Sequence, residues 1–117
     1  MADDVKYVKF MPEYTSTGVW NIGGANIEMS DVPLSPELKL RLEAWNAWYD
    51  HNDSWKCDEG YVRTFPLKAF SEEGEQIARH FKAAHPDWTV RYFNEYMFDE
   101  AGARTGDGPR SYEYEIE

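Results

Sequence analysis

Ser35-Pro36-Glu37-Leu38-Lys39-Leu40-Arg41-Leu42-Glu43-Ala44-Trp45-Asn46-Ala47-Trp48-Tyr49-Asp50 decides the fold. Ser35 is a side-chain oxygen placed to accept a free N–H of a first helical turn. Pro36 follows at the position where a missing N–H costs nothing, and Glu37 complements the positive end of the helix dipole. Leu38, Leu42, Trp45 and Tyr49 then recur at helical spacing and make one apolar stripe. Leu40, Ala44, Ala47 and Trp48 widen it. His51-Asn52-Asp53 is a turn-forming cluster where the helix is expected to fade. A helix this amphipathic must lay its stripe on another layer, so the flanking sequence has to supply one.

Downstream, Ser71 reads as the N-cap of a second helix running from about Glu72 to Ala84, with Glu72, Glu73 and Glu75 in its first turn. Ile77, Ala78, Phe81 and Ala84 form its apolar face, and His85-Pro86 ends it. Strand signals lie on either side. Val5 to Met11 is a β-rich run stopped by Pro12, and Val19-Trp20 sits in a short run between glycines. Asn26 to Met29 can pair back across Gly23-Gly24. Tyr61 to Phe65 reads as a short strand, and Trp88 to Phe98 as a longer one. Ser111 to Glu117 alternates strictly, with Tyr112, Tyr114 and Ile116 on one face and Glu113, Glu115 and Glu117 on the other. Asp99 to Pro109 suits a long hairpin loop. The order β-β-α-(β)-α-β-β predicts an α+β fold, with two helices on one face of a mostly antiparallel sheet. At 117 residues it reads as a single domain, 1–117.

Composition narrows the function classes. There are 22 Asp and Glu against 12 Lys and Arg, for a net charge of −10, yet 16% of residues are aromatic. So acidic a chain without the rings would read as disordered; with them it reads as a folded body with a negative surface. That surface favours a basic protein partner and repels nucleic acid. Most of the excess acid falls before residue 60 and in the last 25 residues, with a nearly neutral middle between them. One cysteine, Cys57, forms no internal disulfide, and no run of about 18 apolar residues suggests a membrane span. The acidic start Met1-Ala2-Asp3-Asp4 is unlike a secretory signal, so a cytoplasmic protein is expected.

Searches for chemistry exclude more than they find. Cys57 near His51 lacks a protease signature and stands among carboxylates rather than in the electropositive setting a reactive thiol needs. His51, Asp53, Cys57 and Asp58 follow no metal-ligand spacing. The glycines of residues 23–24 and 102–108 have no P-loop lysine or dinucleotide fingerprint. No catalytic residue, metal or cofactor is therefore expected. What survives is protein binding. Trp55 lies in the acidic stretch from Asp50 to Glu59, an aromatic anchor ringed by Asp50, Asp53, Asp58 and Glu59. The Glu113 and Glu115 face is the second candidate patch.

Lys9-Phe10-Met11-Pro12-Glu13-Tyr14, Val19-Trp20-Asn21 and Leu34-Ser35-Pro36-Glu37-Leu38, with Arg41-Leu42, Trp45 and Tyr49-Asp50, form one set of motifs. Phe70-Ser71-Glu72-Glu73-Gly74 and Val90-Arg91-Tyr92-Phe93 follow them. Together they resemble a group of small acidic bacterial proteins with no established activity, so the resemblance implies none. The residues themselves favour an acidic inhibitor that binds protein: an immunity protein covering the active site of a bacterial toxin, with a nuclease as the natural target because its cleft is basic. A ligand-binding domain or enzyme with an aromatic pocket between the first helix and the sheet is the alternative. A subunit burying its rings in a homodimer is another, and the oligomeric state is open.

Overall fold

The computed structural model describes residues 6–13, 16–50, 67–100 and 112–117. The element order is β1 (Tyr7–Phe10), β2 (Val19–Trp20), a 3-10 turn (Met29–Asp31), α1 (Pro36–Asp50), α2 (Leu67–Ala84), β3 (Thr89–Phe93), α3 (Glu95–Glu100) and β4 (Glu113–Ile116). This is the α+β fold that the sequence pattern predicts. The expected strand at Tyr61 to Phe65 and most of the loop expected over 99–109 lie outside the described residues.

The sheet runs β2-β1-β3-β4. Its outer pairings are antiparallel, and its central pair, β1 with β3, is parallel, in the register Tyr7 with Thr89 through Phe10 with Tyr92. A parallel pair cannot be joined by a hairpin; it needs a crossover, and here α1 and α2 lie within it. Beyond β2 the chain turns back as the glycine-bounded sequence suggests. Asn21 N–H donates to the Ala25 carbonyl at 2.9 Å and Ile27 N–H to Val19 at 3.0 Å, with Gly24 in the left-handed region at φ 86°.

Alternation divides each strand. Val8, Phe10, Val19, Val90, Tyr92 and Ile116 are buried under the helices, whereas Tyr7, Lys9, Trp20, Arg91, Glu113 and Glu115 take the opposite face. Ser35 caps α1, its Oγ accepting the Leu38 N–H at 3.1 Å. Leu38, Leu42 and Trp45 are buried and Tyr49 is half-buried, so the stripe faces the core. Leu40 does not widen it: the residue is 67% exposed, and Trp48 is 37% exposed. The helix has apolar residues on both sides, and one layer covers only one of them. Trp48 is thus the ring that a single stripe leaves at the surface, with its edge against Phe70 (centroids 5.5 Å).

Two boundaries and one helix face differ from expectation. α2 begins at Leu67, directly after Pro66 in the sequence, rather than near Glu72. Ser71 is consequently interior to that helix and buried. Its hydroxyl instead accepts the Tyr96 N–H at 3.0 Å, so it satisfies the first turn of α3. Ala84 is exposed rather than part of the buried face. The strand expected over Trp88 to Phe98 stops at Phe93, because Asn94 caps a helix: its Oδ1 accepts the Met97 N–H at 2.9 Å.

Phe70 is the hub of the core. Trp45 stacks on it at 4.7 Å and nearly parallel, and Tyr49 lies at 5.3 Å. Trp45 Nε1 donates to the Phe70 carbonyl at 2.9 Å, and Tyr92 Oη donates to the Ser71 carbonyl at 2.7 Å. Each fully buried ring of this kind stabilises by roughly 1.5–3 kcal/mol, and here the polar tips are satisfied as well.

Candidate functional site

The helices occupy one face of the sheet, and among the described residues no element crosses the other. Its surface is built by the outward positions of four strands. Lys9 on β1 is the register partner of both Trp20 on β2 and Arg91 on β3, and Arg91 is in turn opposite Glu115 on β4. Glu113 stands opposite Phe93. Its carboxylate bridges two cations, Oε1 taking Lys9 Nζ at 3.2 Å and Oε2 taking Arg91 Nε at 3.4 Å. Tyr7 lies close enough to feel both charges. Burial pushes its hydroxyl above the usual tyrosine value; Arg91 works against that shift and Glu113 with it.

Trp20 is half-buried, and its Nε1 donates to the Met11 carbonyl at 3.1 Å, which fixes how the ring lies on the sheet. Tyr112 is not on the inward face that strict alternation assigned to it. It precedes the strand and packs edge-on against Phe93, centroids 5.2 Å apart. Tyr114 and Ile116 do face inward. Tyr114 Oη donates to Glu75 at 2.8 Å and accepts from Asn94 Nδ2 at 3.1 Å. Burial first, with the Glu75 hydrogen bond adding to it, pushes the Tyr114 hydroxyl up to about 12. Burial would raise the Glu75 carboxyl, but the hydrogen bonds from Tyr114 and Arg79 outweigh it and the net shift is downward.

Of the acidic residues expected to bind a partner, Glu113 and Glu115 lie on the open face as the alternation predicts. They differ in kind. Glu113 is spent on Lys9 and Arg91, whereas Glu115 is exposed and among the described residues makes no ion pair. Asp50 is the last residue of α1, with its side chain outside the description. Asp53, Trp55, Asp58 and Glu59 lie outside the described residues, as do His51 and Cys57. Sequence reasoning missed Tyr7, Lys9, Trp20 and Arg91. The signal for them was present: each alternates with a buried neighbour, so the same period that marks the core marks its opposite face.

A recess of about 480 Å³ opens between the start of α1 and the end of α2. Leu38, Phe81 and Ala84 line it with Arg41, His80 and His85. These polar groups already have partners. Arg41 grips Glu73 through Nε and Nη2, both at 3.2 Å, and its Nη1 meets His80 Nδ1 at 2.5 Å. His85 Nε2 meets the Pro33 carbonyl at 3.0 Å. The aromatic pocket expected between the first helix and the sheet is instead filled by Trp45, Phe70 and Tyr92. Among the described residues no group of histidine, cysteine and carboxylate side chains converges as a metal site would require, and no helix is long and apolar enough to cross a membrane.

A sheet face that no described element crosses, bearing a tryptophan, a tyrosine and an arginine on an acidic body, has the side-chain types that protein interfaces favour. Residues 6–95 match the family described as Serratia CdiI immunity protein-like, more than three quarters of the sequence, and the chain belongs to that family. It is accordingly an immunity protein, which binds and neutralises a cognate contact-dependent inhibition toxin. A comparison with curated proteins gave no match.

Proposed function

We propose that the chain neutralises its toxin by setting an acidic surface against a basic one, and that the toxin is a nuclease acting on a negatively charged substrate. The observation that carries this reading is the net charge of −10 on a member of an immunity family. A nuclease cleft is lined with cations, so a carboxylate-rich protein competes for the same groups that hold the nucleic acid. The binding groups are Asp50, Asp53, Asp58 and Glu59, with Trp55 as anchor, and Glu115 on β4. Inhibition is by occupancy, with no bond made or broken in the immunity protein. It takes place in the cytoplasm, where such a toxin would meet its substrate.

The test is calorimetric titration of the full chain with its cognate toxin, at low and high salt. A nanomolar complex that weakens steeply as salt rises is expected. Replacing Asp53, Asp58 and Glu59 together by alanine should weaken binding by about tenfold or more, mainly through slower association. Undiminished affinity of the triple variant would overturn the electrostatic reading and leave family membership untouched.

A further inference from the structure

The open sheet face has a charge arrangement that overall acidity does not explain. Lys9 and Arg91, on the two central strands, share the carboxylate of Glu113, and the only other carboxylate beside them among the described residues is that of Glu115 on the edge strand, which makes no ion pair, on a chain carrying −10. A guanidinium has five N–H donors. Arg91 uses Nε on the Glu113 carboxylate and Nη2 on the Glu113 carbonyl, both at 3.4 Å, the long end of the range. Among the described residues its Nη1 has no acceptor. Tyr7 lies near this cation, and Trp20 lies on the far side of Lys9, one strand further across the face, its indole already held in place by its bond to Met11. The periphery on the β4 side is acidic, with Glu115 and Glu117 exposed.

We infer that the toxin docks on this face, and that it brings a carboxylate to Arg91 together with apolar side chains that cover Trp20 and Tyr7. The inference rests on the proposed basic toxin for its periphery, where cations of the toxin meet Glu115 and Glu117. Its centre has the opposite polarity. Arginine takes a carboxylate through two parallel N–H donors, a geometry that sets register as well as energy. Tryptophan, tyrosine and arginine at the desolvated middle of an interface carry most of its binding energy. A central pairing opposite in sign to the rim also rejects toxins that are merely basic, because such a toxin would bury Arg91 against a like charge.

The experiment compares the full chain with Arg91→Gln, Trp20→Ala and Lys39→Gln by titration against the cognate toxin, with a thermal melt for each. Arg91→Gln and Lys39→Gln remove the same charge, and Lys39 is an exposed residue of α1, in the helix layer. Steering by net charge treats these two alike and, for a basic toxin, tightens both. Docking on the open face predicts instead that Arg91→Gln and Trp20→Ala each weaken binding by at least about tenfold, and that Lys39→Gln stays within about threefold. Should Arg91→Gln not fold, Arg91→Lys keeps the charge but not the planar fork, and a loss of at least about threefold is expected. If the unaltered chain binds and the face variants bind as tightly as Lys39→Gln, docking here is overturned while neutralisation stands. If the unaltered chain does not bind the toxin, neutralisation itself fails and this inference with it.

Discussion

Gly74 sits in the middle of α2, where alanine would ordinarily be the better helix former by about 1 kcal/mol. The packing reverses that preference. A Cβ at Gly74 would lie 2.5 Å from Trp45 Cζ2 and 2.8 Å from Trp45 Cε2, and would also collide with the Tyr92 hydroxyl. Neither neighbour is a yielding side-chain tip. Trp45 is stacked on Phe70 at 4.7 Å and tied to its carbonyl, and Tyr92 is tied to the Ser71 carbonyl. Overpacking of this kind costs about 1–3 kcal/mol. Displacing the buried Tyr92 hydroxyl from its acceptor adds about 1–3 kcal/mol. Set against the gain in helix propensity, Gly74→Ala should lose roughly 3 kcal/mol, a large part of the 5–15 kcal/mol typical of a domain. At this size that corresponds to a fall in Tm of roughly 10 °C. Urea and thermal unfolding followed by circular dichroism measure both quantities, with the urea slope expected to be unchanged. A Gly74→Ala variant as stable as the parent, or more so, would refute the account of how α2 seats against Trp45 and Tyr92.

Two further outcomes follow from the same core. Ser71→Ala removes the acceptor of the Tyr96 N–H, so α3 should become easier to open. A loss of about 1–2 kcal/mol is expected in urea unfolding, with faster hydrogen exchange at Tyr96 as the local sign. Alkaline titration tests the buried tyrosines. Burial raises the native pKa of Tyr92 and Tyr114, that of Tyr114 to about 12, above the ordinary value of 10.0. A raised native value favours the neutral form, so the stability it confers is complete below pH 10 and is lost as the pH climbs through the Tyr114 value of about 12. Tyr114→Phe should make that decline shallower in melts taken across the interval.

Much of this architecture was legible because short-range chemistry and packing agree. In α1 the cap at Ser35, the proline after it and the Leu38-Leu42-Trp45-Tyr49 stripe all point to one helix, and the structure has it. The neighbouring helix was misplaced at its start because Ser71, a good cap in isolation, serves a different helix that only the tertiary fold brings within reach. Asn94 was hidden for a related reason: Tyr96, Met97 and Phe98 continue the large, mostly aromatic side chains of β3, and composition cannot register a single side-chain bond to Met97. The parallel pairing of β1 with β3 was beyond local reasoning, since nothing in either strand names its partner. For the outer sheet face the outward direction of Glu113 and Glu115 was readable from period two. That Glu113 is consumed by Lys9 and Arg91 was not, because it depends on strands from both ends of the described fold lying side by side.

The central parallel pair also sets an order of events during biosynthesis. Lys9 and Glu113 are 104 positions apart, and the Lys6–Asp87 contact beside the β1–β3 pair spans 81. Pairing over such separations must pay for loop closure before it is rewarded, which makes it slow. While the chain is being made, β1 has only the short β2 to pair with until β3 emerges. Lys9, Arg91 and Glu113 meet on this face only where β1, β3 and β4 lie side by side, so their shared ion pair forms only once β4 has joined the sheet.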